Sequence, residues 1–162
     1  MKLTIRKVYA LLDEAQEYAD IFSGCKKVAV GSMLIPATTD ETRIFGVNCT
    51  LPISCRENGC QREELYGDDN KSHRLPSDCR AVHSEIDAIT CAAKYGFATN
   101  RAVIIVTRYP CEACARAIVK AGIKAVFYGR QQEISEQTKN ILKAGGVRVF
   151  WMKEWNYEDV TT

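Results

Sequence analysis

A chain of 162 residues, 46% hydrophobic and 26% charged, has the length and composition of a single globular domain over 1–162 with room for a sizeable core. A formal net charge of +2, with no Lys/Arg run, argues against a protein whose affinity comes from neutralising nucleic-acid phosphates. No stretch approaches the roughly 18 apolar residues of a membrane span, and Lys2, Arg6 and Lys7 run into Asp13, Glu14, Glu17 and Asp20 rather than an apolar core, so neither a membrane nor a secretory signal is expected.

Apolar residues at Leu3, Val8, Leu11, Leu12, Ala15, Tyr18, Ala19 and Phe22 predict a first helix over Leu3 to Phe22, closed by Gly24. Val28 to Ile35, ending at Pro36, and Arg43 to Val47 predict two strands of an antiparallel hairpin around the polar turn Thr38 to Thr42. Residues 49–80 differ in character: they are polar, contain Pro52, Gly59, Gly67 and Pro76, and show no sustained period. An irregular segment of that length is uncommon inside a compact domain and usually has a function. Its four cysteines and His73 predict an insert stapled by metal.

From Ile86 onward the pattern alternates. Ile86, Ile89, Thr90 and Ala93 follow helical spacing up to Gly96, and Val103 to Val106 is continuously apolar, as in a strand buried on both faces. Cys111 to Ala121 predicts a helix between Pro110 and Gly122, Ile123 to Tyr128 a strand, Glu133 to Ala144 a helix, and Val147 to Trp151 the last strand. Alternating strands and helices imply parallel pairing with right-handed crossovers. The expected architecture is α/β, a mixed five-stranded sheet with helices on both faces.

The chemistry concentrates between Val82 and Cys114. His83-Ser84-Glu85 opens one predicted helix, and Pro110-Cys111-Glu112-Ala113-Cys114 opens the next. One imidazole and two thiols form a good zinc set, and three protein ligands leave a fourth position for water. Cys111 and Cys114 are three apart and share a helix face in a first turn, where unpaired N–H groups favour thiolate. Glu85, two residues from the imidazole, is the candidate acid–base group. A lone C-x-x-C also suits a redox pair, and a lone His-x-Glu is usually structural. Their combination, H-x-E followed by P-C-x-x-C, is the known signature of zinc deaminases.

On these residues the chain resembles the cytidine and deoxycytidylate deaminase superfamily. The run Ile105-Val106-Thr107-Arg108-Tyr109-Pro110-Cys111-Glu112-Ala113-Cys114 and the later Ile118-Val119-Lys120-Ala121-Gly122-Ile123-Lys124-Ala125-Val126-Phe127-Tyr128 look closest to its deoxycytidylate and competence-operon branches. The resemblance implies a three-layer α/β/α fold of the cytidine-deaminase type. It also implies His83, Cys111 and Cys114 as ligands of a catalytic zinc, Glu85 as proton shuttle, and conversion of dCMP to dUMP and ammonia. The competing substrates are tRNA adenosine, a free nucleoside, guanine or a pterin-like ring; an inactive zinc or nucleotide-binding module is the non-enzymatic alternative.

Gly46-Val47-Asn48 resembles the family's Gly-Tyr-Asn-Gly, which implies Asn48 as a sugar contact, although Val47 and Cys49 depart from that pattern. Arg80 is a candidate for a 5′-phosphate, as are Arg56, Arg62, Arg74 and Arg108. Related deaminases carry a non-catalytic zinc, which implies Cys25, Cys55, Cys60 and Cys79 as a second, structural site with His73 as a possible substitute. Cys91 is expected to be a packed thiol. The expected partners are a small nucleotide and further copies of the chain, in the cytoplasm, where clustered cysteines more often mean metal than disulfides.

Overall fold

The computed structural model describes residues 3–39, 41–49, 54–67, 79–130 and 135–154. The first helix, α1 (Ile5–Phe22), starts two residues later than its apolar pattern because Thr4 caps it, accepting from the Lys7 N–H. Strands β1 (Gly31–Ile35) and β2 (Ile44–Val47) form the expected hairpin, antiparallel with Gly31 opposite Val47. The expected irregular insert contains two short helices, α2 (Cys55–Asn58) and α3 (Gln61–Tyr66), a correction to the sequence reading. Helices that short, each ending at a glycine with positive φ (Gly59 and Gly67), are too brief to leave an apolar period.

The second half alternates as expected: α4 (Ser84–Lys94), β3 (Val103–Arg108), α5 (Glu112–Lys120), β4 (Ala125–Arg130), α6 (Glu136–Ala144) and β5 (Arg148–Trp151). The sheet order is β2-β1-β3-β4-β5, antiparallel through β1 and parallel from β3 to β5. Side chains on a strand alternate between faces, so two separate cores arise from the same apolar runs. Met33, Ile35 and Ile105 meet Val8, Leu11, Leu12 and Ala15 of α1 on one face. Leu34, Ile104, Val106 and Val126 meet Ala88, Ala92, Ala115, Ile118 and Leu142 of α4, α5 and α6 on the other. This is the three-layer arrangement.

The approach of α4 to the sheet sets the site. Ala88 and Ala92 are fully buried small residues beneath that helix. Gly46 permits a closer contact still, since a Cβ there would lie 2.2 Å from the Ser84 carbonyl oxygen and 2.4 Å from the Ala88 nitrogen. The last strand, β5, is an edge whose four residues are all exposed. Trp151 stacks over Tyr128 and donates its indole N–H to the Gly129 carbonyl at 3.1 Å. Trp155 lies outside the described residues.

Candidate metal centre

His83 and Cys111 occupy the N-cap positions of α4 and α5, and neither uses its side chain as a cap. Their carbonyls accept the first helical bonds, from Asp87 at 2.9 Å and Ala115 at 2.8 Å. N-caps usually carry Ser, Thr, Asp or Asn, whose oxygens satisfy the first N–H groups. Here an imidazole and a thiol stand in their place and turn towards each other. The Cys111 Sγ lies 3.3 Å, and the Cys114 Sγ 3.5 Å, from the His83 Nδ1.

That spacing suits a metal. A tetrahedral zinc with Zn–S of about 2.3 Å and Zn–N of about 2.0–2.1 Å holds nitrogen and sulfur roughly 3.5 Å apart. The three ligand atoms all lie within 4.8 Å of one another, the one such group of His, Cys, Asp or Glu among the described residues.

Glu85 is 4% exposed at the inner edge of this trio, with the buried Ser84 hydroxyl donating to its Oε2 at 3.2 Å. Burial raises its carboxyl above the usual range. The Cys114 thiol donates to Cys111, and that bond, with help from His83 and against burial, holds Cys111 down to about 4. Cys114 is pushed the other way, by the same bond first and then by burial and Glu85. Cys111, through a hydrogen bond, lifts His83 above the ordinary imidazole range, while burial and the Arg62 charge oppose it. The chain's own groups therefore favour a thiolate at Cys111, and burial shifts the Glu85 carboxyl towards its protonated form.

The remaining expected site residues are distributed as follows. The buried Asn48 is committed to the segment after α1: its Oδ1 accepts from Ser23 Oγ at 2.7 Å and Val30 N–H at 2.8 Å, and its Nδ2 donates to the Val28 carbonyl at 2.7 Å. Arg80 turns to α3, with Nε on Gln61 at 3.2 Å and a terminal nitrogen on Glu64 at 2.9 Å. Arg62 of α3, by contrast, is near enough to His83 for its charge to be felt there. Burial pushes Cys55 up, with Cys60, Cys25 and Cys79 adding to the effect in that order, so the four thiols share one neighbourhood. They do not converge within 4.8 Å as the first trio does. Ion pairs of Glu63 with Lys26 at 3.1 Å and Lys27 at 3.6 Å tie α3 to the segment that carries Cys25. His73 and Arg74 lie outside the described residues.

Two helix N-termini converging on an imidazole, two thiols and a buried carboxyl, at the carboxyl end of β3, define the class: an α/β/α protein with a His/Cys/Cys group that could hold a metal ion. The MafB19-like deaminase family model matches residues 9–159, and the chain belongs to that family. It is 31% identical over 130 residues to the ComE operon protein 2 of Bacillus subtilis (strain 168), covering 78% of this chain and 61% of that protein. It is 31% identical over 98 residues to the deoxycytidylate deaminase of Enterobacteria phage T2, covering 60% of this chain and 52% of that one. The chain thus spans only about half to three fifths of these curated relatives' lengths. The crystal structure of dCMP deaminase from the cyanophage S-TIM5 in complex with dCMP and dUMP shares the fold, with a TM-score of 0.66, 22% identity and coverage of 93% of this chain and 98% of that one.

Proposed function

We propose that this protein is a zinc-dependent hydrolytic deaminase that converts dCMP to dUMP and ammonia. The observation that carries the reading is the spacing of His83 Nδ1, Cys111 Sγ and Cys114 Sγ, which suits one tetrahedral ion, with Glu85 buried beside them. A zinc held by these three atoms would polarise a water and lower its pKa towards about 7.

The chain's own contribution is proton transfer. Glu85 accepts a proton from the attacking water and delivers it to N3 of the ring as the oxygen bonds to C4. It then takes the proton of the new C4 hydroxyl and passes it to the amino group, so that the C4–N4 bond breaks as the C4 carbonyl forms, and ammonia leaves. Burial raises this carboxyl above the ordinary range, the direction a residue that must deliver protons needs. Ser84 fixes one of its oxygens, and the N-terminal turns of α4 and α5 hold the ligands in register.

Cytosine nucleotide is favoured over the other ring substrates because deoxycytidylate deaminases recur among the similar proteins. The low net charge agrees with a free nucleotide rather than a polynucleotide. Arg80 and Arg62 are the candidates for the 5′-phosphate: Arg80 reaches Gln61 and Glu64 of α3, and the charge of Arg62 is felt at His83. Cys25, Cys55, Cys60 and Cys79 are proposed as a second, structural zinc site holding the insert, and the working form as a cytoplasmic homo-oligomer acting through one domain. The test is a panel: zinc-loaded protein incubated with dCMP, deoxycytidine, cytidine, dCTP, guanine and a tRNA, with ammonia measured. The reading requires the highest kcat/KM for dCMP; preference for another substrate, or no ammonia from any, overturns it.

A further inference from the structure

Strand β2 is the edge of the sheet, yet its last residue, Val47, is 6% exposed. Its outward N–H therefore needs a partner other than a neighbouring strand. Asp87 supplies it, with Oδ2 accepting from Val47 N–H at 2.9 Å. The other oxygen, Oδ1, lies 4.0 Å from the Cys91 thiol. Cys49 also bonds to Asp87, and its thiol is pushed up to about 11, chiefly by burial and then by the Asp87 charge, so it remains a donor at neutral pH.

Two residues beyond Val47, Cys49 exchanges both backbone bonds with Val82, at 3.1 and 2.7 Å. Val82 directly precedes His83, and Asp87 donates its own N–H to the His83 carbonyl at 2.9 Å. The stretch that contains His83 and Glu85 is thus held to the end of β2 at both its ends, by Val82 before and Asp87 after. We infer that Asp87 is a positioning residue, which locks the β2 edge to the first turn of α4 and thereby fixes where His83 and Glu85 stand. Its side chain meets Val47, Cys49 and Cys91 rather than the ligand atoms. The inference rests on the deaminase reading above.

The test compares Asp87→Ala with Asp87→Asn, whose amide oxygen accepts the same Val47 N–H. Three quantities are read on the zinc-loaded protein: kcat and KM for dCMP well below the melting temperature, the rate of zinc loss to a colorimetric chelator, and amide exchange at Val47, Cys49 and Val82. Asp87→Ala should lower kcat by about 10–100-fold with little change in KM, because small misplacements of a catalytic group are that costly. It should also speed zinc loss and exchange at all three amides, and Asp87→Asn should restore most of each. A merely structural residue would lower the melting temperature while leaving kcat and zinc loss of the folded protein unchanged; that outcome, or no rescue by asparagine, overturns the inference. If wild-type protein deaminates nothing, the functional reading fails, while zinc loss and amide exchange still decide the role of Asp87.

Discussion

Replacing Gly46 by alanine adds one methyl group at the contact that positions the candidate site. The new Cβ would lie 2.2 Å from the Ser84 carbonyl oxygen, 2.4 Å from the Ala88 nitrogen and 2.8 Å from the Ala88 Cβ, where ordinary contact begins at 3.4 Å. Two of these atoms are helix backbone, so no rotamer change relieves the clash, and α4 must retreat by about 1 Å. Ser84 stands between His83 and Glu85, so the retreat carries both with it. Overpacking of this kind costs about 1–3 kcal/mol, or a melting temperature lower by roughly 2–12 °C for a domain this size. A displacement near 1 Å also costs about 10²-fold in turnover. Gly145→Ala is the control: its Cβ would lie 2.4 Å from Val119 Cγ2, where α5 ends and far from Cys111 at its start. Both variants should melt earlier, but kcat at a temperature where each is folded should fall only for Gly46→Ala. Unchanged kcat in folded Gly46→Ala would refute the claim that this contact places the site.

Glu85→Gln should retain metal and fold while kcat falls by at least about 10²–10⁴-fold, the usual cost of losing a general acid–base group. The same substitution has a stability signature. The folded carboxyl is raised above the unfolded value of about 4.3, so the native state binds more protons over the window above that pH, and stability falls as pH rises through it. Glutamine has no such proton, so chelator-treated Glu85→Gln should melt above the wild type at pH 8, with the gap closing towards pH 4; a constant gap would contradict the buried carboxyl. For the second metal site, elemental analysis of protein purified without added metal should find two zinc ions per chain, and one in Cys79→Ser with the insert newly sensitive to protease. One zinc in the wild type, lost entirely in Cys111→Ser, would leave Cys25, Cys55, Cys60 and Cys79 as reduced thiols.

Strands β1 to β4 and the long helices were legible because each buries apolar residues, and burial imposes a pattern on sequence; the exposed edge β5 was legible only from its run of apolar residues. Leu34 and Met33 read simply as apolar, and the two cores they enter separate only once the strand exists. The ligand trio was legible because its spacing matches helix geometry and a known signature. Other features had no local trace. The helices Cys55–Asn58 and Gln61–Tyr66 are shorter than the window over which periodicity can be counted. The internal bonds of Asn48 to Ser23, Val28 and Val30 join residues far apart in the chain. Asp87 is one of two acidic residues in the first turn of α4, and nothing near it in sequence marks Val47 as its partner. The Gly46 contact likewise depends on which helix lies over the strand.

The central claim is that water replaces the amino group of dCMP at a site served by Glu85. The most direct test incubates zinc-loaded protein with dCMP in water enriched in heavy oxygen and weighs the product by mass spectrometry. The account predicts dUMP carrying a single heavy oxygen on its base, released with an equal amount of ammonia, and no such product from Glu85→Gln on the same timescale. Unconverted dCMP, unlabelled dUMP, or equal labelling by Glu85→Gln would contradict it.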